Sequence, residues 1–122
     1  MNNKQSRPIV RIVNKTKSSV LAEKAEIANT PLSRMKGLLG RDKIDLGEGL
    51  VIVPCSAIHT FFMKFSIDVA FIDVNNKVVA LSRDLTPGKL FSGGRESKKV
   101  IELPVGILES TNTCIQDLIE LQ

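Results

Sequence analysis

The run Ile58–Asp73 (IHTFFMKFSIDVAFID) is the densest apolar stretch of the chain and constrains its fold more than any other feature. Side chains of a strand alternate between the two faces of a sheet. Ile67, Val69 and Phe71 therefore share one face, and Asp68, Ala70 and Ile72 share the other. Both faces are apolar apart from Asp68, which is the pattern of a central strand buried on both sides. Ser66 marks a bend inside the run.

The rest of the chain supplies short partners for that strand. Pro8–Asn14 alternates as a strand, and Ser19–Ala28 pairs back on it across the polar turn Asn14–Ser18. Thr30-Pro31 opens a short helix near residues 31–39: Thr caps the free N–H groups and Pro suits the first helical position. Leu32, Met35, Leu38 and Leu39 fall at helical spacing, and Gly40 is its natural stop. A charged loop, Asp42–Gly49, leads to the buried strand Leu50–Val53 before Pro54. Asn75-Asn76 is a tight hairpin turn into the return strand Lys77–Leu81. Thr86–Ser97 reads as a long loop, Lys98–Leu103 as a strand, Pro104–Thr111 as a turn, and Asp117–Leu121 as the last strand.

About seven short strands and one helix in 122 residues give a single mainly β domain, residues 8–122, preceded by a basic flexible arm, residues 1–7. The expected architecture is a compact β-sandwich or a jelly-roll-like barrel. With five Phe and no Trp or Tyr, the core must come from Val, Ile and Leu, which favour strands. No segment has the roughly 20 apolar residues that span a bilayer. Met1–Arg7 has no apolar stretch of the length a secretory signal needs. Two cysteines, Cys55 and Cys114, are too few for a disulfide framework, so the expected setting is the cytoplasm.

The net charge of +4 is unevenly placed. Lys4, Arg7, Arg11, Lys15 and Lys17 stand within residues 1–22 with no acid among them; beyond them basic and acidic side chains nearly balance. Such an arm can meet nucleic acid or an acidic partner. Without interleaved aromatics it reads better as a solvated tail and an edge strand whose cations oppose aggregation.

Beyond its apolar pattern, the sequence resembles the bacterial and archaeal family known as domain of unknown function 192. The resemblance rests on Gly37-Leu38-Leu39, Gly49–Pro54, His59–Lys64, Ile67–Asp73, Val100-Ile101-Glu102-Leu103-Pro104 with Gly106, and Asp117–Leu121. It covers residues 17–122 in the family's order and spacing. Two positions depart from the family pattern: Ser66 replaces a frequent Pro, and Gln116 replaces the Gly of a Gly-Asp pair. The resemblance implies a compact β-sandwich or jelly-roll-like fold and no established chemistry.

Candidate site residues follow from the residues themselves. Asp68, set in an apolar strand, needs a partner: Lys64, Arg41, Arg34, His59 or the backbone N–H groups of a turn. It either ties a loop or serves as an acid or ligand contact. His59 is the sole histidine, and any imidazole chemistry runs through it. On an extended segment it shares a face with Phe61, Met63 and Phe65. Cys55 and His59 have the spacing of half a metal site, but no second paired motif completes four ligands, so neither metal nor cofactor is expected. A Cys–His nucleophile would need a depressed thiol pKa that nothing here signals; Cys55 reads as a small buried residue. Gly93-Gly94-Arg95 is either an anion-binding turn or a plain turn within a long loop.

Function is therefore not fixed by the sequence. The favoured expectation is a monomeric, non-catalytic binding module for a small ligand or protein partner. Its groove would be lined by Arg41, His59, Lys64, Asp68 and the Thr86–Arg95 loop. The alternative is a small hydrolase-like or transferase-like enzyme with His59 and Asp68 as acid and base.

Overall fold

The structure, a computed structural model, describes residues 7–122. Lys4 and the rest of the arm before Arg7 lie outside the described residues. Strands β1 (Ile9–Asn14) and β2 (Ser19–Ala28) form an antiparallel hairpin. Helix α1 (Pro31–Lys36) then carries the chain to β3 (Glu48–Ile52), which runs parallel to β2. There follow β4 (Ala57–His59), β5 (Ile67–Ile72), β6 (Val78–Leu85), β7 (Leu90–Ser92), β8 (Lys99–Leu103), α2 (Ile107–Ser110) and β9 (Ile119–Leu121).

Seven strands form one sheet in the order β6-β5-β8-β3-β2-β1-β9, while β4 and β7 make a separate two-stranded ladder. The large sheet curls until its edges meet at one end. Lys77 bridges to Leu118, Val78 N–H donates to Asp117 O at 3.0 Å, and Gln116 N–H donates to Val78 O at 2.8 Å. The expected mainly β fold with a helix near residue 31 is thus realised as a curled half-barrel, with α2 as a second short helix. Gln116 adopts φ 76°, a backbone conformation that glycine enters without strain, which fits the Gly that the resemblance puts at this place.

The sheet has two buried faces. One gathers Ile12 and Ile119 with Ala70, Val78, Ile101 and Leu103, around Leu108 of α2. Because these come from both ends of the strand order, this face is the inside of the curl. The other gathers Leu50, Ile52, Ile67, Val69, Phe71 and Val100, covered by Leu38, Ile44 and Ile58. All six residues of β5 are buried, as its two-sided apolar pattern requires.

Several local readings change. The apolar run Ile58–Asp73 is two strands separated by a non-regular turn, not an extended segment, so His59 does not share a strand face with Met63 and Phe65. Buried Thr60 fixes this break. Its hydroxyl donates to Thr86 O at 2.7 Å and accepts from Lys89 N–H at 2.9 Å, while its carbonyl accepts from Gly88 N–H. Helix α1 has the expected Thr30 cap, to which Ser33 adds a reciprocal capping box, but ends at Gly37 instead of Gly40. Leu32 and Met35 are consequently solvent-facing, and only Leu38 beyond the helix enters the core.

Strand β1 is not at an edge, because β9 pairs outside it. Its cations and those flanking it face carboxylates: Arg7–Glu26 at 3.2 Å, Arg11–Glu23 at 3.2 Å, Lys15–Glu120 at 3.9 Å and Lys17–Asp117 at 2.9 Å. Asp117 is mostly buried, and burial alone would raise its pKa. Hydrogen bonds from Asn14, Lys17 and the Cys114 N–H overcome that and lower it. This cluster pins the closing end of the half-barrel.

The Thr86–Ser97 stretch contains β7, docked by an edge-on contact between Phe91 and Phe71 with ring centroids 5.4 Å apart. Gly93 is packed against the Phe71 ring so closely that a Cβ there would stand 2.6 Å from Cδ1. Phe71 is fully buried and cannot yield. Gly93→Ala is therefore expected to destabilise the fold by about 1–3 kcal/mol through overpacking, whereas Gly94→Ala is limited to the strain of its own left-handed backbone. Urea denaturation of the two variants checks this; an undisturbed Gly93→Ala midpoint would refute the packing.

Candidate ligand-binding cleft

The five residues singled out in the sequence do not converge. Asp68 lies on the inner face with Ala70 and Ile72, fully buried, and its carboxylate accepts three backbone N–H groups. These come from Asp84 at 2.9 Å, Gly106 at 3.0 Å and Leu108 at 3.0 Å. It ties the end of β6 and the start of α2 to β5, as the loop-tying alternative describes. His59 is on β4, which covers the opposite face of the sheet, so the two are not placed as an acid–base pair. Arg41 pairs with Glu48 at 3.1 Å and Lys64 with Asp42 at 3.0 Å, both at the surface. Arg95 is exposed in the turn after Gly94.

What the outer face does assemble is a cleft of about 460 Å³ between α1, the end of β3 and β4. Its walls are mostly apolar, with Met35, Leu38, Leu39, Ile52, Ile58 and Met63, and its polar members are Arg34, Lys36, Cys55, His59 and Glu102. Apolar walls with a few polar groups are the usual make-up of small-molecule sites.

Glu102 is the unusual member. It sits in the middle of β8, paired across to Leu50 of β3 and Val69 of β5, and is 4% exposed. Strand alternation turns it to the same face as Val100, away from Ile101 and Leu103. Its carboxyl makes no side-chain hydrogen bond among the described residues, and burial pushes its pKa up to about 7. The sequence did hold a signal for it: a lone acid inside the apolar strand Val100–Leu103, the same signal that drew attention to Asp68.

Arg34, also in the cleft lining, is incompletely satisfied. Its Nη1 donates to Pro54 O at 3.2 Å, while its buried Nε has no partner. Cys55 lies within electrostatic reach of both Glu102 and Arg34. Burial raises the Cys55 thiol pKa, and the thiol donates to Ala57 O at 3.2 Å. A raised pKa is the opposite of what a thiolate nucleophile needs. At the cleft, His59 Nδ1 accepts the Phe61 N–H at 3.2 Å, so in the neutral ring Nε2 carries the hydrogen. The Phe61 ring stacks on the imidazole with centroids 5.1 Å apart. Among the described residues no cluster of three His, Cys, Asp or Glu side chains has metal-site geometry. No helix among them is long and apolar enough to cross a membrane.

These features define a small mainly β domain whose curled sheet carries an α1-bounded cleft on its outer face. The chain belongs to the domain of unknown function 192 family, described as uncharacterized ACR, whose model matches residues 12–121. It is similar to a UPF0127 protein of Thermococcus sibiricus, 34% identical over 89% of this chain and 73% of that one. A UPF0127 protein of Pyrococcus abyssi is also 34% identical, over 89% and 95%. Among solved structures, a protein of unknown function from Novosphingobium aromaticivorans superposes with TM-score 0.80 at 17% identity, covering 93% of this chain and 84% of its own. A protein from Sinorhizobium meliloti superposes with TM-score 0.83 at 17% identity over 98% of both. At that identity the two structures bear out the fold alone.

The unpaired Glu102 makes a prediction for stability. Its ordinary pKa of 4.5 rises to about 7 on folding. Between those values the unfolded chain gives up this proton and the folded chain keeps it, so stability falls as pH rises through the interval and levels off above 7. Glu102→Gln removes that dependence. Relative to the variant, wild type should lose about 3 kcal/mol between pH 4 and pH 8. Denaturant titrations at the two pH values measure it, and a stability difference that does not change with pH would contradict the burial argument.

Proposed function

We propose that this protein is a non-catalytic binding module whose ligand occupies the cleft between α1 and β4. The observation carrying this reading is Glu102, a buried carboxyl without a partner on the wall of an apolar cleft. Taking a carboxyl out of most of its water costs free energy unless a partner replaces that water. A desolvated carboxyl in a cleft whose lining also holds an Arg34 Nε without a partner suits a site completed by its ligand. The reading differs from the groove expected from sequence in its residues: His59 stays, Glu102, Arg34 and Cys55 join it, and Arg41, Lys64, Asp68 and Arg95 leave.

The module works as a monomer on a small molecule or chain end rather than on nucleic acid. The four described cations of the basic cluster are each engaged by a carboxylate, which favours a role in holding the sheet. Two free thiols, Cys55 and the exposed Cys114, suit the reducing cytoplasm.

A blocking substitution tests the site. Met35 lines the cleft yet is largely solvent-exposed on α1, so Met35→Trp fills the opening with a change in stability within about 0.5 kcal/mol. Small molecules found by ligand-observed NMR to bind wild type should lose that binding in the variant. Binding that is equally strong in Met35→Trp places the ligand elsewhere and refutes the cleft.

A further inference from the structure

We infer that the cleft takes an apolar molecule ending in a carboxylate, whose oxygens are received by Arg34 and the Glu102 carboxyl while its tail lies among Leu38, Ile52 and Met63. This rests on the reading of the cleft as a ligand site and specifies the chemistry that site selects.

Three observations lead to it. The first is the hydrogen-bonding balance. Arg34 commits Nη1 to Pro54 O and its Nε–H has no acceptor; burial favours the protonated form of Glu102, whose O–H is then a second donor without a protein acceptor. Two donors lining one cleft suit a group with several lone pairs and no hydrogens of its own. A carboxylate is that group, and it draws shorter, stronger bonds from a guanidinium than a neutral acceptor does.

The second is charge. The ionisable side chains lining the cleft are Arg34, Lys36 and His59 against a single acid, Glu102, with Cys55 held as a thiol. An ammonium ligand would approach two permanent cations. A carboxylate is attracted by them, and its negative charge further favours the protonated form of Glu102. The third is the apolar wall, whose side chains give an alkyl or aliphatic tail surface to bury at roughly 25 cal/mol per Å². The same chemistry is offered by a free aliphatic acid and by the C-terminus of a peptide ending in an aliphatic residue.

The test is a ¹H–¹⁵N NMR titration of the full chain at pH 7 with three probes of one shape: hexanoate, hexanamide and hexylamine. Hexanoate should shift the amides of Leu38, Ile52, Cys55 and Ile58, with affinity about tenfold or more above the other two. Arg34→Gln should weaken hexanoate by about tenfold. Glu102→Leu, which keeps the apolar wall and removes the donor, should weaken hexanoate by about tenfold, and unchanged binding would remove Glu102 from the site. A leucine-ended peptide with a free C-terminus, compared with its amidated form, separates the two sources. A free-acid peptide outbinding hexanoate assigns a chain end, and hexanoate outbinding the peptide assigns a small acid. Hexylamine or hexanamide binding the cleft more tightly than hexanoate overturns the carboxylate and leaves the cleft as a ligand site. Failure of all three probes to shift cleft amides at tens of millimolar overturns the carboxylate inference. The Met35→Trp comparison then decides separately whether the cleft binds anything else.

Discussion

The β5–β8 ladder is buried on both faces, and that constraint organises the molecule. A polar side chain in this position must find its partners within the fold or at a cleft that reaches it. The ladder nevertheless carries two acids, Asp68 on β5 and Glu102 on β8, and alternation sends them to opposite faces. Asp68 is answered by three backbone N–H groups from β6 and the start of α2. Glu102 is not answered. The first acid fastens the inside of the half-barrel, and the second opens onto the cleft outside. Fold and candidate site thus use the same chemistry with opposite outcomes, separated by the thickness of one sheet.

The outer layer that turns Glu102 into a site is held by few contacts. Thr60 binds the turn after β4 to the loop before β7, Gly93 lets the chain lie flat on Phe71, and Phe91 meets the edge of that ring. Helix α1 contributes no buried residue of its own; Leu38, just past its Gly37 cap, anchors it. A short helix and a three-residue ladder attached in this way form walls rather than core. The cleft lies where they fail to close over the sheet.

Much of the architecture was legible in the sequence. The two-sided apolar pattern of Ile67–Ile72, the span of Ser19–Ala28 and the Thr30-Pro31 helix start are local signals, and all three stand in the structure. The break after His59 was not legible, because it is enforced by Thr60 hydrogen bonds to residues 86–89, far along the chain. Likewise β7 exists through its pairing with β4 and not through its own pattern. For the site, a lone acid in an apolar strand marks both Asp68 and Glu102 alike. Which of the two is satisfied depends on backbone N–H groups brought from β6 and α2, and spacing along the chain carries no record of that. Lys64 lies within the Ile58–Asp73 run and Arg41 well before it, yet both face acids of their own, Asp42 and Glu48.

The account turns on Glu102 being a buried acid with no protein partner, and its own titration tests that most directly. With ¹³C-labelled glutamate, the side-chain carboxyl resonance assigned by its loss in Glu102→Gln can be followed from pH 3 to pH 9. A midpoint near 7 is the predicted result. A midpoint in the ordinary range for glutamate, about 4.3, would show that the carboxyl is solvated or paired, and would remove the ground for placing a ligand in the cleft.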